Sequence, residues 1–231
     1  SAEMVEILKN DIGLGKQVNL LLNAYDVDEM VDVVHPSNDY NALTFFYSGR
    51  LYEGYREFTP FFKALSQLCG NATRKFGEFQ VLYAGPDGHQ MIKEATQFNL
   101  HSIVRDLGVL PRQEVLKMQR TSDILLLSIG KGSPAESMVM TGKIFEYLSA
   151  KRPILALGYP GGSLGCLLDK TKAGRIFSPN DFNAMTEQIK DWCHEYKKCG
   201  VIEYNGEECE IMKHSWQNRI DELLYMINSI K

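Results

Sequence analysis

The sequence lacks the features that mark membrane-spanning, secreted and nucleic-acid-binding proteins. No apolar run approaches the roughly eighteen residues of a transmembrane helix, and the N-terminus has no charged-then-apolar signal pattern. No block of Lys and Arg occurs, and a net charge of −4 at pH 7 disfavours nucleic acid as a partner. We therefore predict a cytoplasmic chain with no transmembrane segment and no nucleic-acid partner.

Signatures of metal and dinucleotide binding are absent as well. The five cysteines are an odd number in a chain without a secretory signal, which favours free thiols. Cys193, His194, Cys199 and Cys209 lie close together, but their spacing matches no zinc template. No segment reads G-x-G-x-x-G, and none has both the length and the Ser or Thr of a P-loop. The sequence thus predicts no metal and no dinucleotide cofactor.

The pattern that is present is an alternation of short apolar runs with helical periodicity. A length of 231 residues fits one full domain with an appendage. We predict strands at 43–47, 80–84, 102–107, 124–128, 154–157 and 174–177. We predict helices at 60–69, 89–98, 113–120, 143–150, 163–170, 182–197 and 213–230. Such alternation predicts an α/β fold, a Rossmann-like doubly wound parallel sheet of about six strands with helices on both faces.

Two segments fall outside the alternation. Residues 1–40 contain one apolar run, 18–22, and then a polar stretch, which is typical of the end of an N-terminal domain and a linker. Residues 41–212 hold the repeated units, and 213–231 form a last helix. That helix carries an apolar stripe, which needs a surface to cover: Trp216, Ile220, Leu223, Leu224 and Ile227.

Glycines and basic residues follow the predicted strands. Gly49, Gly85, Gly108 and Gly158 each stand at the carboxyl end of a strand, where ligands bind in this architecture. Arg50 and Arg56 follow the first strand and offer forked donors suited to a diphosphate, although either one alone is better explained as a solvated loop residue.

The segment T-G-K-I-F-E-Y-L-S-A-K-R-P at 141–153 lies where a buried strand gives way to a helix. Unpaired amides and the positive end of the helix dipole favour anions there, and Lys143 adds a mobile charge. Glu146 lies on the same helix face and can accept two hydroxyl hydrogen bonds from a ribose. Taken alone, the window equally fits an ordinary amphipathic helix with both charges in water.

Together these segments carry a family resemblance that covers the chain from about residue 23 to the last helix. The sequence resembles the C-terminal, donor-binding half of a retaining family 4 glycosyltransferase of the GT-B fold. The resemblance lies in six stretches: N-A-Y-D at 23–26, S-G-R-L-Y-E-G-Y-R at 48–56, L-Y-A-G-P-D-G at 82–88, V-R-D-L-G-V-L-P-R-Q-E-V-L at 104–116, T-G-K-I-F-E-Y-L-S-A-K-R-P-I-L-A-L at 141–157, and H-S-W at 214–216.

The resemblance implies transfer of a sugar from a nucleotide-diphosphate donor, without a metal or other cofactor. It implies that Arg50, Arg56 and Lys143 stabilise the departing diphosphate as the catalytic cations. The other donor-binding positions that it implies are Gly49 and Gly85 in the glycine turns, Val109 and Leu110 at the base, Thr141 and Gly142 at the phosphates or the sugar, and Glu146 at the ribose.

The sequence departs from the family pattern in two respects. The family often has two glutamates separated by seven residues, and Met138 occupies the first of these positions. Either Glu136 substitutes for it, or this branch has no first acid. The resemblance also leaves almost no room for the N-terminal, acceptor-binding domain onto which the last helix of the family crosses back. We therefore expect an incomplete enzyme, whose full-length form could be peripheral to a membrane.

Two alternatives remain open from the sequence. Nucleotide-sugar 2-epimerases share the GT-B architecture, but they need acid and base side chains in the cleft. A non-catalytic nucleotide-binding module that docks another protein on its last helix fits the missing first glutamate. The base and sugar of the donor and the identity of the acceptor do not follow from the residues.

Overall fold

The computed structural model describes residues 1–11, 18–29, 42–69 and 78–229. The strands are β1 Leu43–Ser48, β2 Phe79–Ala84, β3 Val104–Asp106, β4 Ile124–Ser128, β5 Ile154–Leu157 and β6 Gly174–Phe177. The helices are α1 Ala2–Asn10, α2 Thr59–Cys69, α3 Gly88–Thr96, α4 Arg112–Thr121, α5 Lys143–Ala150, α6 Ser163–Thr171, α7 Phe182–Cys199, α8 Glu208–Met212 and α9 Trp216–Ser229. Short 3-10 helices lie at His101–Ile103 and Pro134–Glu136.

The six strands form one parallel sheet in the order β3-β2-β1-β4-β5-β6. The chain builds outward from β1 to β3 and then returns to place β4 on the other side of β1. Strand order therefore reverses between β1 and β4. The predicted α/β fold, a doubly wound parallel sheet of six strands, is confirmed.

The central strands β1, β4 and β5 are buried along their whole length, which explains why they are mostly apolar, whereas the edge strands β3 and β6 are partly exposed. Along β1, Phe45 and Tyr47 belong to one core cluster and Phe46 to the other, because alternate side chains point to opposite faces. The first cluster includes an edge-to-face pair between Phe45 and Phe61 of α2, with ring centroids 5.0 Å apart. The second cluster packs α5 and α6 against the opposite face.

A buried polar contact joins the two central strands at their amino ends. The Asp123 carboxylate accepts hydrogen bonds from the backbone N–H of Thr44 at 2.8 Å and from its hydroxyl at 2.6 Å. The Thr44 Oγ1 in turn accepts from the Asp123 N–H at 2.9 Å. These bonds hold β1 and β4 side by side, so that the loops at their opposite ends begin in a defined position.

The structure corrects several predicted elements. The last helix does not run unbroken from 213: α8 ends at Met212 and α9 begins at Trp216. Between them the backbone pairs with Tyr25, whose N–H donates to the His214 carbonyl at 3.0 Å and whose carbonyl accepts from the Trp216 N–H at 2.9 Å. The third strand is shorter than predicted, since His101–Ile103 is a 3-10 helix.

The segments assigned to a preceding domain and a linker are described only in part. Residues 1–11 contain the unpredicted helix α1, and the apolar run at 18–22 forms neither helix nor strand. The polar stretch at 36–41 and the predicted helix end at residue 230 lie outside the described residues. The division of the chain at residues 40 and 212 stays a prediction.

The apolar stripe of α9 lies on the surface. Ile220 is 53% exposed, Leu224 is 52% exposed and Ile227 is 50% exposed. Across the described parts of the chain, no helix combines the length and the apolar character needed to span a bilayer.

Candidate functional site

The candidate site lies at the carboxyl edge of the sheet, where strand order reverses. The loop after β1 and the loop after β4 leave this edge in opposite directions, because their strands belong to opposite halves of the sheet. In open parallel sheets such a reversal creates the crevice in which ligands bind. Most of the predicted site residues lie on these two loops or at the start of α5.

Glycine is required at the first position after β1. Gly49 has a φ of +110°, which L side chains rarely adopt, and a Cβ there would lie 2.5 Å from the Lys143 Nζ. Its carbonyl accepts a hydrogen bond from the Tyr83 hydroxyl at 2.9 Å. Gly85 is buried, and a Cβ there would contact the same hydroxyl and the Gly49 carbonyl. The geometry therefore explains Gly85 by close packing of two loops, and contact with a donor stays a prediction.

Lys143 is the first residue of α5 and lies against the end of β1. Its ammonium donates to the Ser48 carbonyl and lies 4.2 Å from the centroid of the Tyr47 ring. Burial, and to a smaller extent the nearby Arg56 cation, lower the pKa of Lys143 to about 8, while Glu146 acts in the opposite direction. A half-buried ammonium beside a second cation creates a site of positive charge. A bound anion would offset the repulsion between these two cations.

The two predicted arginines differ in their surroundings. Arg56 is half-buried, and its guanidinium carbon lies 4.9 Å from the centroid of the Tyr52 ring. Its Nε is buried and, within the part of the chain that is described, has no hydrogen-bond partner. Arg50 is exposed, and its carbonyl accepts from the Tyr47 hydroxyl at 2.8 Å. Arg56 is thus held next to Lys143, whereas Arg50 lies at the solvent side of the loop.

The first turn of α5 presents unpaired backbone donors. Among the described residues, the amides of Thr141, Gly142 and Lys143 donate to no backbone carbonyl. Gly142 is the N-cap and supplies no side-chain cap. Three free N–H groups at the positive end of a helix form an anion-binding surface.

A cleft of about 530 Å³ opens beside this turn. That volume lies within the range of about 300–1,000 Å³ that is usual for ligand pockets. Its walls are the segment 23–29, α4, the start of α5 and Trp216. The segment 23–29 approaches closely: a Cβ at Gly142 would lie 2.8 Å from the Asn23 Nδ2. Of the predicted site residues, Thr141, Gly142, Lys143 and Glu146 line the cleft.

Glu146 does not stand free in this cleft. Its Oε1 accepts from the Arg112 Nη1 at 3.0 Å, and its Oε2 accepts from the Gln119 Nε2 at 3.3 Å. Sequence reasoning missed both partners. Arg112 and Gln119 lie seven residues apart on α4, which is two helical turns, and this shared face was the available signal.

The residues predicted to frame the base lie apart from the cleft. Val109 is 76% exposed, and Leu110 is half-buried against the second core cluster. Neither belongs to the residues that line the cleft. Their contact with a base stays a prediction.

The acid proposed to replace the first family glutamate is engaged by its own loop. The Glu136 carboxylate accepts from the N–H groups of Lys131, Gly132 and Ser133 at 3.0, 2.7 and 3.2 Å. These bonds cap the loop after β4 and leave little capacity for a ligand. Met138 is half-buried in the same connection, so the described residues assign no acid to the sugar.

No cluster of three or more metal-binding side chains occurs among the residues that the structure describes. The described cysteines include Cys69, Cys166, Cys193, Cys199 and Cys209, and all five are free thiols.

Neither protein-family models nor curated protein sequences match the chain. Solved structures do. Sucrose-phosphate synthase from Thermosynechococcus elongatus superposes with a TM-score of 0.71 at 13% identity, covering 100% of this chain and 58% of that one. A glycosyltransferase from Rickettsia africae gives a TM-score of 0.71 at 15% identity, covering 100% of this chain and 62% of that one. HepE from Anabaena, in complex with UDP and glucose, gives 0.66 at 12% identity, covering 93% and 58%.

Identities this low establish the fold and nothing beyond it. The chain spans about three fifths of the length of each of these structures. It therefore has the fold of one half of a GT-B protein, with its candidate site at the switch point of the sheet.

Proposed function

We propose that this chain is the donor-binding half of a retaining, nucleotide-sugar-dependent glycosyltransferase. One observation carries the proposal: Lys143, Arg56 and the free amides of α5 converge at the switch point, next to a cleft that Glu146 helps to line. The cations and amides match a diphosphate, and the Glu146 carboxylate matches the hydroxyls of a ribose. The fold supports the proposal, because structures that share it include a glycosyltransferase and a protein in complex with UDP and glucose.

In the proposed reaction the chain acts on the leaving group. Negative charge develops on the diphosphate as the bond to the sugar breaks, and preorganised cations and amides stabilise that charge. We assign this role to Lys143 and Arg56, with Arg50 joining them from the solvent side of the loop after β1. We propose that these groups neutralise the diphosphate without a metal.

We further propose that acceptor binding requires a second domain. The chain matches about three fifths of each glycosyltransferase-like structure, so the remaining two fifths have no counterpart among its residues. The exposed apolar stripe of α9 is suited to contact such a domain. By this proposal, the chain alone binds donor and transfers little sugar.

Calorimetric titration with UDP, GDP, ADP and their glucose conjugates tests donor binding. We expect at least one nucleoside diphosphate to bind, and Arg56→Ala to weaken it by about 1–3 kcal/mol, the usual range for a charge-assisted contact. Arg175→Ala is the matched control, because Arg175 lies on the edge strand β6 and contacts Gln188. Absence of binding by every ligand in the panel would overturn the proposal.

A non-catalytic nucleotide-binding module is the second candidate. It is favoured by Met138 at the position of the first family glutamate and by the engagement of Glu136 in its own loop. The two candidates differ in transfer. A protein that joins this chain to an acceptor-binding domain should hydrolyse or transfer the donor sugar if it is an enzyme, and should only bind it if it is a module.

The epimerase alternative gains no support from the site. Such an enzyme needs acid and base side chains in the cleft, but His89 and His101 are exposed and lie outside the residues that line it.

A further inference from the structure

Arg112 lies between two carboxylates at the mouth of the cleft. Its Nε and Nη2 donate to the two oxygens of Glu29 at 2.9 and 2.5 Å, and its Nη1 donates to the Glu146 Oε1 at 3.0 Å. One edge of the guanidinium thus forks onto Glu29, and a single remaining donor reaches Glu146. The pairing raises the pKa of Arg112 and lowers that of Glu29.

Among the described residues, each oxygen of the Glu146 carboxylate accepts a hydrogen bond from one side chain. Gln119 supplies the second bond at 3.3 Å, from a side chain that is only 1% exposed and therefore fixed in position. Each carboxylate oxygen has two lone pairs, so each keeps one acceptor site that no described residue occupies. A carboxylate held in this way offers two acceptors side by side, which suits the adjacent 2′- and 3′-hydroxyls of a ribose.

Glu29 restricts Arg112 to that single bond. If Glu29 released the guanidinium, the Nη1 and Nη2 groups could fork onto Glu146 and occupy the acceptors meant for the ribose. Glu29 is itself held from α4, because the Arg120 Nη2 donates to its carbonyl at 3.2 Å. The segment 23–29 therefore controls how Arg112 contacts Glu146.

We propose that Arg112 is a positioning residue that, restrained by Glu29 and aided by Gln119, holds Glu146 ready for the vicinal hydroxyls of a ribose. The proposal rests on the proposed function, since it assumes a nucleotide in the cleft. It adds a specificity that the cations cannot supply: discrimination of ribonucleotides from 2′-deoxyribonucleotides. It also connects that discrimination to Glu29 in the segment 23–29.

The test is the ratio of dissociation constants for a ribonucleoside diphosphate and its 2′-deoxy analogue, measured by calorimetry. We expect the wild-type protein to prefer the ribonucleotide by about tenfold or more, as for a hydrogen bond to a charged group. In Arg112→Ala and in Glu29→Gln the preference should fall to within about threefold. In the double variant it should fall no further, because both changes act through the same contact.

Arg112→Lys separates positioning from charge. Lysine keeps the positive charge but cannot fork, so we expect the affinity for the diphosphate to persist while the preference for ribose falls. Glu187→Gln, which breaks an exposed ion pair with Lys190 on α7, is the control and should leave the ratio unchanged. Circular dichroism and thermal melting show whether each variant folds. If Arg112→Ala does not fold, the conservative changes Arg112→Lys and Glu29→Gln still decide the test.

The outcomes separate this inference from the proposed function. A wild-type protein that binds no nucleoside diphosphate contradicts the proposed function, and this inference falls with it. Binding with an intact ribose preference in Arg112→Lys and Glu29→Gln contradicts only the positioning role. Full rescue of the ratio by Arg112→Lys also overturns it, because charge alone would then suffice.

Discussion

Replacing Lys143 by methionine should stabilise the ligand-free protein while it removes diphosphate binding. The lysine is half-buried, and its pKa is lowered from the ordinary 10.5 to about 8, chiefly by burial. A depression of that size corresponds to roughly 3 kcal/mol of unfavourable free energy in the protonated form, at about 1.4 kcal/mol for each pH unit. Methionine fills a similar volume without a charge, but it loses the contacts with the Ser48 carbonyl and the Tyr47 ring. We therefore expect a net gain of about 1–2 kcal/mol at pH 7.

The pH dependence gives this prediction a distinctive sign. Because the folded pKa of Lys143 lies below the unfolded one, the cost of the charge is complete below about pH 8 and disappears as pH rises through the unfolded value. The stability advantage of Lys143→Met should accordingly be largest at pH 7 and shrink between pH 8 and about 10.5. Urea denaturation of both proteins across this range measures the difference, in which the other titrating groups cancel.

Ligand binding should reverse the same shift. A diphosphate placed beside the ammonium raises the pKa of Lys143 again, so that binding near pH 9 takes up a proton. Calorimetry in buffers of different ionisation enthalpy measures that uptake, with Lys117→Met on the exposed face of α4 as the control. A Lys143→Met variant that is less stable than the wild type at pH 7, or that binds diphosphate unchanged, would refute the reasoning.

Three further changes test other parts of the structure. Gly49→Ala should destabilise the protein by about 1 kcal/mol or more and weaken diphosphate binding, because the φ of +110° and the nearby Lys143 Nζ oppose a Cβ. Thermal melting measures the stability and calorimetry measures the binding, and no change in either would contradict the geometry. Asp123→Ala should cost about 2 kcal/mol or more in urea denaturation, since the Thr44 N–H and hydroxyl lose a buried acceptor; a loss below about 0.5 kcal/mol would show that the contact does not hold β1 to β4. Burial and the Arg219 cation lower the pKa of His214 to about 4, so the free energy of unfolding should decline as pH falls from about 6.5 to 4. His214→Gln should flatten that decline, and equal slopes of stability against pH in both proteins would oppose the assignment.

Local signals were sufficient to predict the elements around the site. The bounds of β4, β5, β6 and α5 are those predicted from the sequence, because each is a short apolar run or helical pattern between clear turn residues. The reversal of strand order also followed from the alternation, since doubly wound sheets share it. Lys143 and Glu146 could be predicted as neighbouring site residues because both lie in one eight-residue helix.

Contacts between distant segments could not be predicted in this way. Glu29 and Arg112 are 83 residues apart, and nothing in either local sequence indicates that they form a pair. The break between α8 and α9 depends likewise on pairing with Tyr25, at the other end of the chain. The exposure of Val109 depends on how the loop after β3 packs, which helical or strand periodicity does not record.

The central claim is that the crevice between β1 and β4 binds a nucleoside diphosphate. Titration of the isotopically labelled protein with UDP, GDP and ADP, followed by amide chemical shifts, tests it most directly. We predict that at least one of these nucleotides changes the chemical shifts of four amides: Gly49, Thr141, Gly142 and Lys143. The four titration curves should fit one common dissociation constant. No shift with any nucleotide, or shifts confined to residues away from the start of α5, would contradict the claim.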